Sequence, residues 1–275
     1  MARLRAERRR RAAIRRRRVL VLAAVGAAVA GAIAGGRANN PGPPGPVLVH
    51  WRRPVPILMY HVIASAPLGA ANPQLFTKPV RFRAQMDYLA SHGYHAVTLQ
   101  RVYDAWKHDG LVPPKPVVVT FDDGYRGDYT DALPILRERG WPGNLNLELG
   151  ALADGELTEQ MIDEMISAGW ELDSHTVHHL DLTTLKGATL REEIAGSRAI
   201  LRQRFGVPVN FFCYPAGRFN ARDVSEVRRA GYLGATTTIP GLASSQDLYK
   251  LRRLRIDQSD GVPDLARKLR SGGRS

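Results

Sequence analysis

Seven short apolar, β-rich runs punctuate the chain from Val55 onward: VPILMYHVI, HAVTL, PVVVTF, NLNLEL, WELDS, VNFFCYP and YLGATTT. Between them apolar residues recur at helical spacing, which predicts helices near 79–92, 100–108, 129–139, 158–168, 189–204 and 221–230. Glycine closes most of these segments, at Gly93, Gly140, Gly169, Gly206 and Gly231, the position where a left-handed residue ends a helix. The strand runs are almost continuously apolar rather than alternating, as expected of strands buried on both faces. Strand–helix alternation implies parallel strands joined by right-handed crossovers. The pattern alone admits a barrel of about seven or eight strands or an open doubly wound sheet.

The chain before Val55 is different. Residues 19–36 carry no charged or polar side chain, and residues 1–18 hold ten arginines against one glutamate. Eighteen apolar residues behind arginines predict a membrane anchor at 19–36 with a cytoplasmic tail at 1–18 and everything later exported. A signal peptide cleaved after Ala32-Ile33-Ala34 is the alternative reading. Residues 37–54, rich in Pro and Gly, predict a spacer, residues 55–260 the folded domain, and residues 261–275 a basic tail.

Composition then narrows the function classes. The net charge of +13 suggests nucleic acid at first, but the tail holds most of it and no basic face is evident in the domain. No nucleic-acid partner is expected. The single cysteine, Cys213, cannot form an internal disulfide and reads as a small core residue in FFCYP.

Chemistry collects where apolar runs end. Asp122 and Asp123 follow Val117–Phe121 directly, and neighbouring side chains of an extended segment diverge, so the two carboxylates can hold separate jobs. Ser174–Leu180 (SHTVHHL) follows another run and places three of the eight histidines within five residues. A helical turn would bring His175 and His179, four apart, to one cation. A carboxylate with two imidazoles suits zinc or another divalent first-row ion, with His178 left at the surface or behind the ligands. In FFCYPAGRFN, Pro215 and Gly217 shape a strand-end loop able to aim backbone N–H groups at an oxyanion.

Together, TFDDGY, SHTVHH and FCYPAG resemble the three motifs of the polysaccharide deacetylases, the NodB-like family 4 carbohydrate esterases, over roughly Val55 to Ile256. The resemblance implies a deformed (β/α) barrel of about seven strands. It also implies hydrolysis of N- or O-acetyl groups on a polysaccharide by a water activated on a divalent cation, most simply zinc. Transferred position by position, Asp122 would be the general base, and Asp123, His175 and His179 the metal ligands. Tyr125, Pro215 and the Ala216 N–H would serve the substrate and oxyanion. The chain departs from the family pattern at Cys213, where many members carry arginine, and at Ala216. Arg253 resembles a late arginine of one branch and is the expected substitute for the missing charge. No histidine follows His179, so the usual late acid motif is absent, and His61 in PILMYHVI is the candidate general acid. Expected substrates are peptidoglycan, poly-N-acetylglucosamine, chitin-like chains or acetyl-xylan. A glycan-binding protein that has lost catalysis is the competing expectation.

Overall fold

The computed structural model describes residues 46–273 apart from Gly155. The chain divides into Met1–Gly45 and Pro46–Ser275. The N-terminal basic tail, the apolar stretch 19–36 and the first half of the spacer thus lie outside the described residues. Among the described residues no helix is long and apolar enough to cross a membrane.

Among the described residues ten strands follow in chain order: β1 (Val49–His50), β2 (Ile57–Tyr60), β3 (His95–Ala96), β4 (Leu111–Val112), β5 (Pro116–Asp123), β6 (Asn144–Leu147), β7 (Glu171–Ser174), β8 (Phe211–Cys213), β9 (Gly234–Pro240) and β10 (Leu251–Arg255). The helices are α1 (Pro79–Ser91), α2 (Leu99–Lys107), α3 (Leu133–Arg137), α4 (Leu149–Ala153), α5 (Glu159–Ser167), α6 (Gly187–Arg191), α7 (Ser197–Phe205), α8 (Ala221–Arg229) and α9 (Val262–Ser271). Strands β5, β6, β7, β8, β9, β10 and β2 pair in that order, all in parallel, and β2 returns to β5. The sheet closes into a seven-stranded (β/α) barrel, which excludes the open doubly wound alternative.

The barrel's membership differs from the sequence expectation in one strand. HAVTL yields β3, which pairs only with the first residues of β5, outside the closed ring. The seventh place belongs to β10, whose LRRLR pattern hides a strand behind charged residues. Both faces of β5 are buried, as its unbroken apolar run requires. Val117, Val119 and Phe121 join the large cluster under the helices, while Val118 joins a second cluster with Ile57, Phe211 and Leu251. Trp170 stacks on Phe121 at 4.9 Å and Phe82 meets Tyr60 edge-on at 5.1 Å, fixing the helical layer to the outside of the barrel.

Two boundaries also move. β1 lies within the stretch expected to be a spacer, pairing with β4, and Arg52 donates to the Trp106 carbonyl at 2.8 Å. The expected basic tail contains α9, whose Leu265 and Ala266 are buried and whose Lys268 donates to the Arg255 carbonyl at 2.7 Å. Its charges occupy one face of an amphipathic helix whose other face packs on the barrel.

Candidate active site

The C-terminal ends of the parallel strands bring the expected groups together. Asp122 and Asp123 are the last two residues of β5, His175 directly follows β7, and Cys213 ends β8. Divergence of the two aspartates is sharper than an extended strand would give. Asp123 has φ 78°, a left-handed conformation costly for a residue with a Cβ. That turn leaves Asp122 facing the barrel interior and swings Asp123 to the rim.

Asp122 is buried and held on every side. Arg253 meets it in a two-pronged pair, Nη1 to Oδ1 and Nη2 to Oδ2, both at 2.7 Å. Arg253 on β10 is separated from β5 by β2, so the contact crosses the barrel interior. The guanidinium is itself anchored, with Nε donating to the Thr237 carbonyl at 2.8 Å and Nη1 to Thr120 Oγ1 at 3.1 Å. Asn146 Nδ2 donates to Asp122 Oδ1 at 2.7 Å. Burial alone would raise the Asp122 pKa, but the charge and hydrogen bonds of Arg253 outweigh it and hold the carboxyl well below the usual range. Cys213 is therefore more than core filling. Its sulfur lies 3.3 Å from Arg253 Nη2 and 3.7 Å from Asp122 Oδ2. The missing β8 charge is replaced from β10, as expected of Arg253.

His61 directly follows β2, its Nε2 3.9 Å from Asp122 Oδ2. Burial lowers its pKa more than Asp122 and Asp123 raise it, so the imidazole rests neutral.

Asp123, His175 and His179 each offer one ligand atom, and the three lie within 4.8 Å of one another. His175 Nε2 stands 3.3 Å and His179 Nε2 3.6 Å from Asp123 Oδ1. The Cys213 carbonyl 2.8 Å from His175 Nδ1 fixes a proton there and turns Nε2 toward Asp123 as the ligand atom. Burial and the neighbouring His175 lower the His179 pKa, which keeps it neutral. Burial would lower the His175 pKa, but Cys213 and the Asp123 carboxylate raise it well above the usual range, so a cation would take the place of its Nε2 proton. One carboxylate and two imidazoles fit a divalent cation of the zinc type. Asp122, His175 and Cys213 form a second possible grouping, but Arg253 already engages that carboxylate and thiol. The two histidines do not converge through a helical turn, contrary to the sequence expectation. Residues 175–181 form no helix, and Thr176 and His179 are left-handed at φ 74° and 52°.

The remaining expected residues surround this centre. The Tyr125 phenol hydrogen-bonds Asp123, and burial with the nearby carboxylates pushes its pKa to about 12. Pro215 opens a tight turn in which exposed Ala216 has φ 50°. Gly217 follows at φ 68°, where a Cβ would stand 1.9 Å from Thr238 Oγ1, so only glycine lets the turn lie against β9.

One carboxyl near the site has no expected role. Asp128 is fully buried, and neither of its carboxylate oxygens has a hydrogen-bond partner. Burial, then the Asp123 and Asp122 charges, push its pKa well above the normal range. Such a group is neutral in the fold and ionised in the unfolded chain. Stability is retained below the unfolded pKa and falls as pH rises toward the folded one. Asp128→Asn removes that loss. Melting curves should coincide near pH 4 and separate in favour of the variant toward pH 8, by up to about 1.4 kcal/mol for each pH unit crossed. A constant gap across that range would show that Asp128 does not titrate on unfolding.

Comparison with known proteins fixes the family. The family model for polysaccharide deacetylases matches residues 109–235. YxkH of Bacillus subtilis (strain 168), a protein assigned to the polysaccharide deacetylases, is 32% identical over 204 residues, covering 74% of this chain and 71% of that protein. The chain belongs to the polysaccharide deacetylases. A deacetylase of this family is a hydrolase of carbon–nitrogen bonds other than peptide bonds. Streptococcus pyogenes deacetylase PplD, solved in complex with acetate, resembles the deacetylase fold described above with a TM-score of 0.72 and 29% identity, over 84% of this chain and 100% of that one. The poly-β-1,6-N-acetyl-D-glucosamine N-deacetylase of Escherichia coli (strain K12) is 25% identical over 232 residues, 68% of this chain and 34% of that protein. This deacetylase therefore spans about a third of that relative's length.

Proposed function

We propose that this deacetylase removes N-acetyl groups from a polymer of N-acetylhexosamine, such as poly-N-acetylglucosamine or peptidoglycan, with a divalent cation held by Asp123, His175 and His179. The observation that carries this reading is the convergence of that triad with Asp122 and His61 at one end of the barrel. A bound cation would polarise the acetyl carbonyl and make a nearby water more acidic. Asp122, ionised because Arg253 faces it, accepts the proton of the attacking water. The Ala216 N–H supports the oxyanion from the rim of the β8 turn. Nitrogen leaves only once protonated, and His61, beside the same carboxylate that receives the water proton, hands that proton on. Neutral His61 thus acts as a relay, charged only while the proton passes. With Arg253 supplying the charge absent at Cys213, one of the two departures behind a binding-only reading, Cys213 rather than Ala216, loses its force. The N-terminal arginines and the apolar stretch 19–36 support an exported, membrane-held enzyme facing a cell-surface substrate.

The full chain loaded with Zn²⁺ should release acetate from poly-N-acetylglucosamine, peptidoglycan or chitin-like oligomers. His61→Ala should lower turnover about 10²-fold or more with little change in KM. Zinc-loaded protein that releases no acetate from any of these, or from acetyl-xylan, would overturn the assignment. Release from acetyl-xylan alone would overturn the N-acetyl part of it.

A further inference from the structure

We propose that Glu193 is the positioning residue that holds the cation-binding loop in its ligating shape, an inference that rests on the Asp123, His175 and His179 reading above. Glu193 is only 2% exposed yet carries a carboxylate, and nothing in the substrate chemistry uses it. Among the described residues its carboxylate bonds all go to one short segment. One oxygen, Oε2, accepts the backbone N–H groups of Val177 at 3.0 Å and His178 at 2.9 Å. The other, Oε1, lies 2.6 Å from His178 Nδ1, on a side chain that is itself 62% exposed. The segment so held lies between the two histidine ligands.

That segment needs holding. Its ends, Thr176 and His179, are both left-handed, and such residues persist only where the surroundings over-determine them. The other side of the loop is fixed through its carbonyls, which accept the N–H groups of Leu149 at 3.2 Å and Gly150 at 3.0 Å. Glu193 supplies the complementary acceptor for the donors, and without it two N–H groups would be left with no partner beside the ligands. The helix carrying Glu193 is built to deliver it. Between α6 and α7, residues Glu192–Gly196 form a π-helical turn, a widened segment that is common at functional sites. Ser197 locks the turn, bonding the Glu193 carbonyl at 2.7 Å and Ser174 Oγ at 2.8 Å, one residue before His175. A chain of contacts thus runs from the outer helix to both ligands.

Partners of this kind, one layer behind the ligands, typically change metal affinity 10–100-fold when removed. Zn²⁺ affinity of the full chain, measured by competition with a chromogenic chelator, should fall 10- to 100-fold in Glu193→Ala. Glu193→Gln keeps an oxygen for both N–H groups and should stay within about threefold of the parent. Glu193→Asp, which keeps the charge but withdraws it by one methylene, should lose about tenfold and serves if the alanine variant does not fold. Melting of the metal-free proteins separates the two roles, because a merely structural residue lowers melting temperature without changing the affinity of the folded fraction. Parent-like affinity in folded Glu193→Ala or Glu193→Asp would overturn the proposal while leaving the cation site standing. A parent chain that binds no Zn²⁺ would remove the cation reading and this inference with it.

Discussion

Asp122→Asn should lower acetate release about 10²- to 10⁴-fold while leaving Zn²⁺ binding in place. The magnitude is that of a lost general base. The separation of the two effects follows from the turn at Asp123, whose φ of 78° places the neighbouring carboxylates in different surroundings. Asp123 faces His175 and His179 at the rim, whereas Asp122 faces Arg253, Asn146 and Cys213 inside the barrel. The asparagine keeps the size of the side chain and one acceptor for the guanidinium but cannot take a proton. Its effect should fall on kcat, since a general base acts in the transition state. Zinc titration and acetate release on the same preparation decide the matter. Parallel loss of both would mean that Asp122 supports the cation site, and retained turnover would mean that another group takes the proton.

The sequence makes this division of labour visible at the level of residue type but not of geometry. An apolar run ending in two aspartates, and another ending in three histidines, locate the site because a buried strand has no other reason to finish in such groups. Glycine terminators place the helix ends well, since the left-handed residue after a helix is a local requirement that glycine meets. What escapes is whatever depends on the closed barrel. β10 reads as a charged segment because the adjacent Arg252 and Arg253 in LRRLR point opposite ways, and only closure shows that Arg253 points inward, 1% exposed, onto a strand two places away. The spacing of His175 and His179 suggests a helical turn, yet the loop reaches the same convergence through two left-handed residues and outside support from Glu193. Asn146 and Glu193 look ordinary in sequence, one in a strand and one on a helix, because their importance lies entirely in what the fold sets opposite them. α9 was obscured by its own charges, although a proline in the first turn and Leu265 at core spacing mark it in retrospect.

Arg253→Met should cost about 3–5 kcal/mol of stability in the metal-free protein, the effect of removing one partner from a buried charge pair. Arg253 and Asp122 are both almost wholly inaccessible, and the guanidinium provides two of the carboxylate's hydrogen bonds. Methionine fills much of the volume but leaves Asp122 with Asn146 and the weak thiol of Cys213. The carboxyl must then either remain charged without its counter-ion or take up a proton, and its burial favours the proton. Two consequences separate this from ordinary loss of packing. The acid limb of the pH–rate profile should move to higher pH, because the base is now protonated where the parent's is not. The double variant Asp122→Asn with Arg253→Met should also melt higher than Arg253→Met alone, since it removes the stranded charge. Arg253→Lys should fall between parent and methionine, keeping a positive charge but losing the two-pronged fit and the separate bond to the Thr237 carbonyl. If the methionine variant melts within about 2 °C of the parent with an unmoved pH profile, Arg253 is not what keeps Asp122 ionised. The base would then owe its charge to the cation beside it.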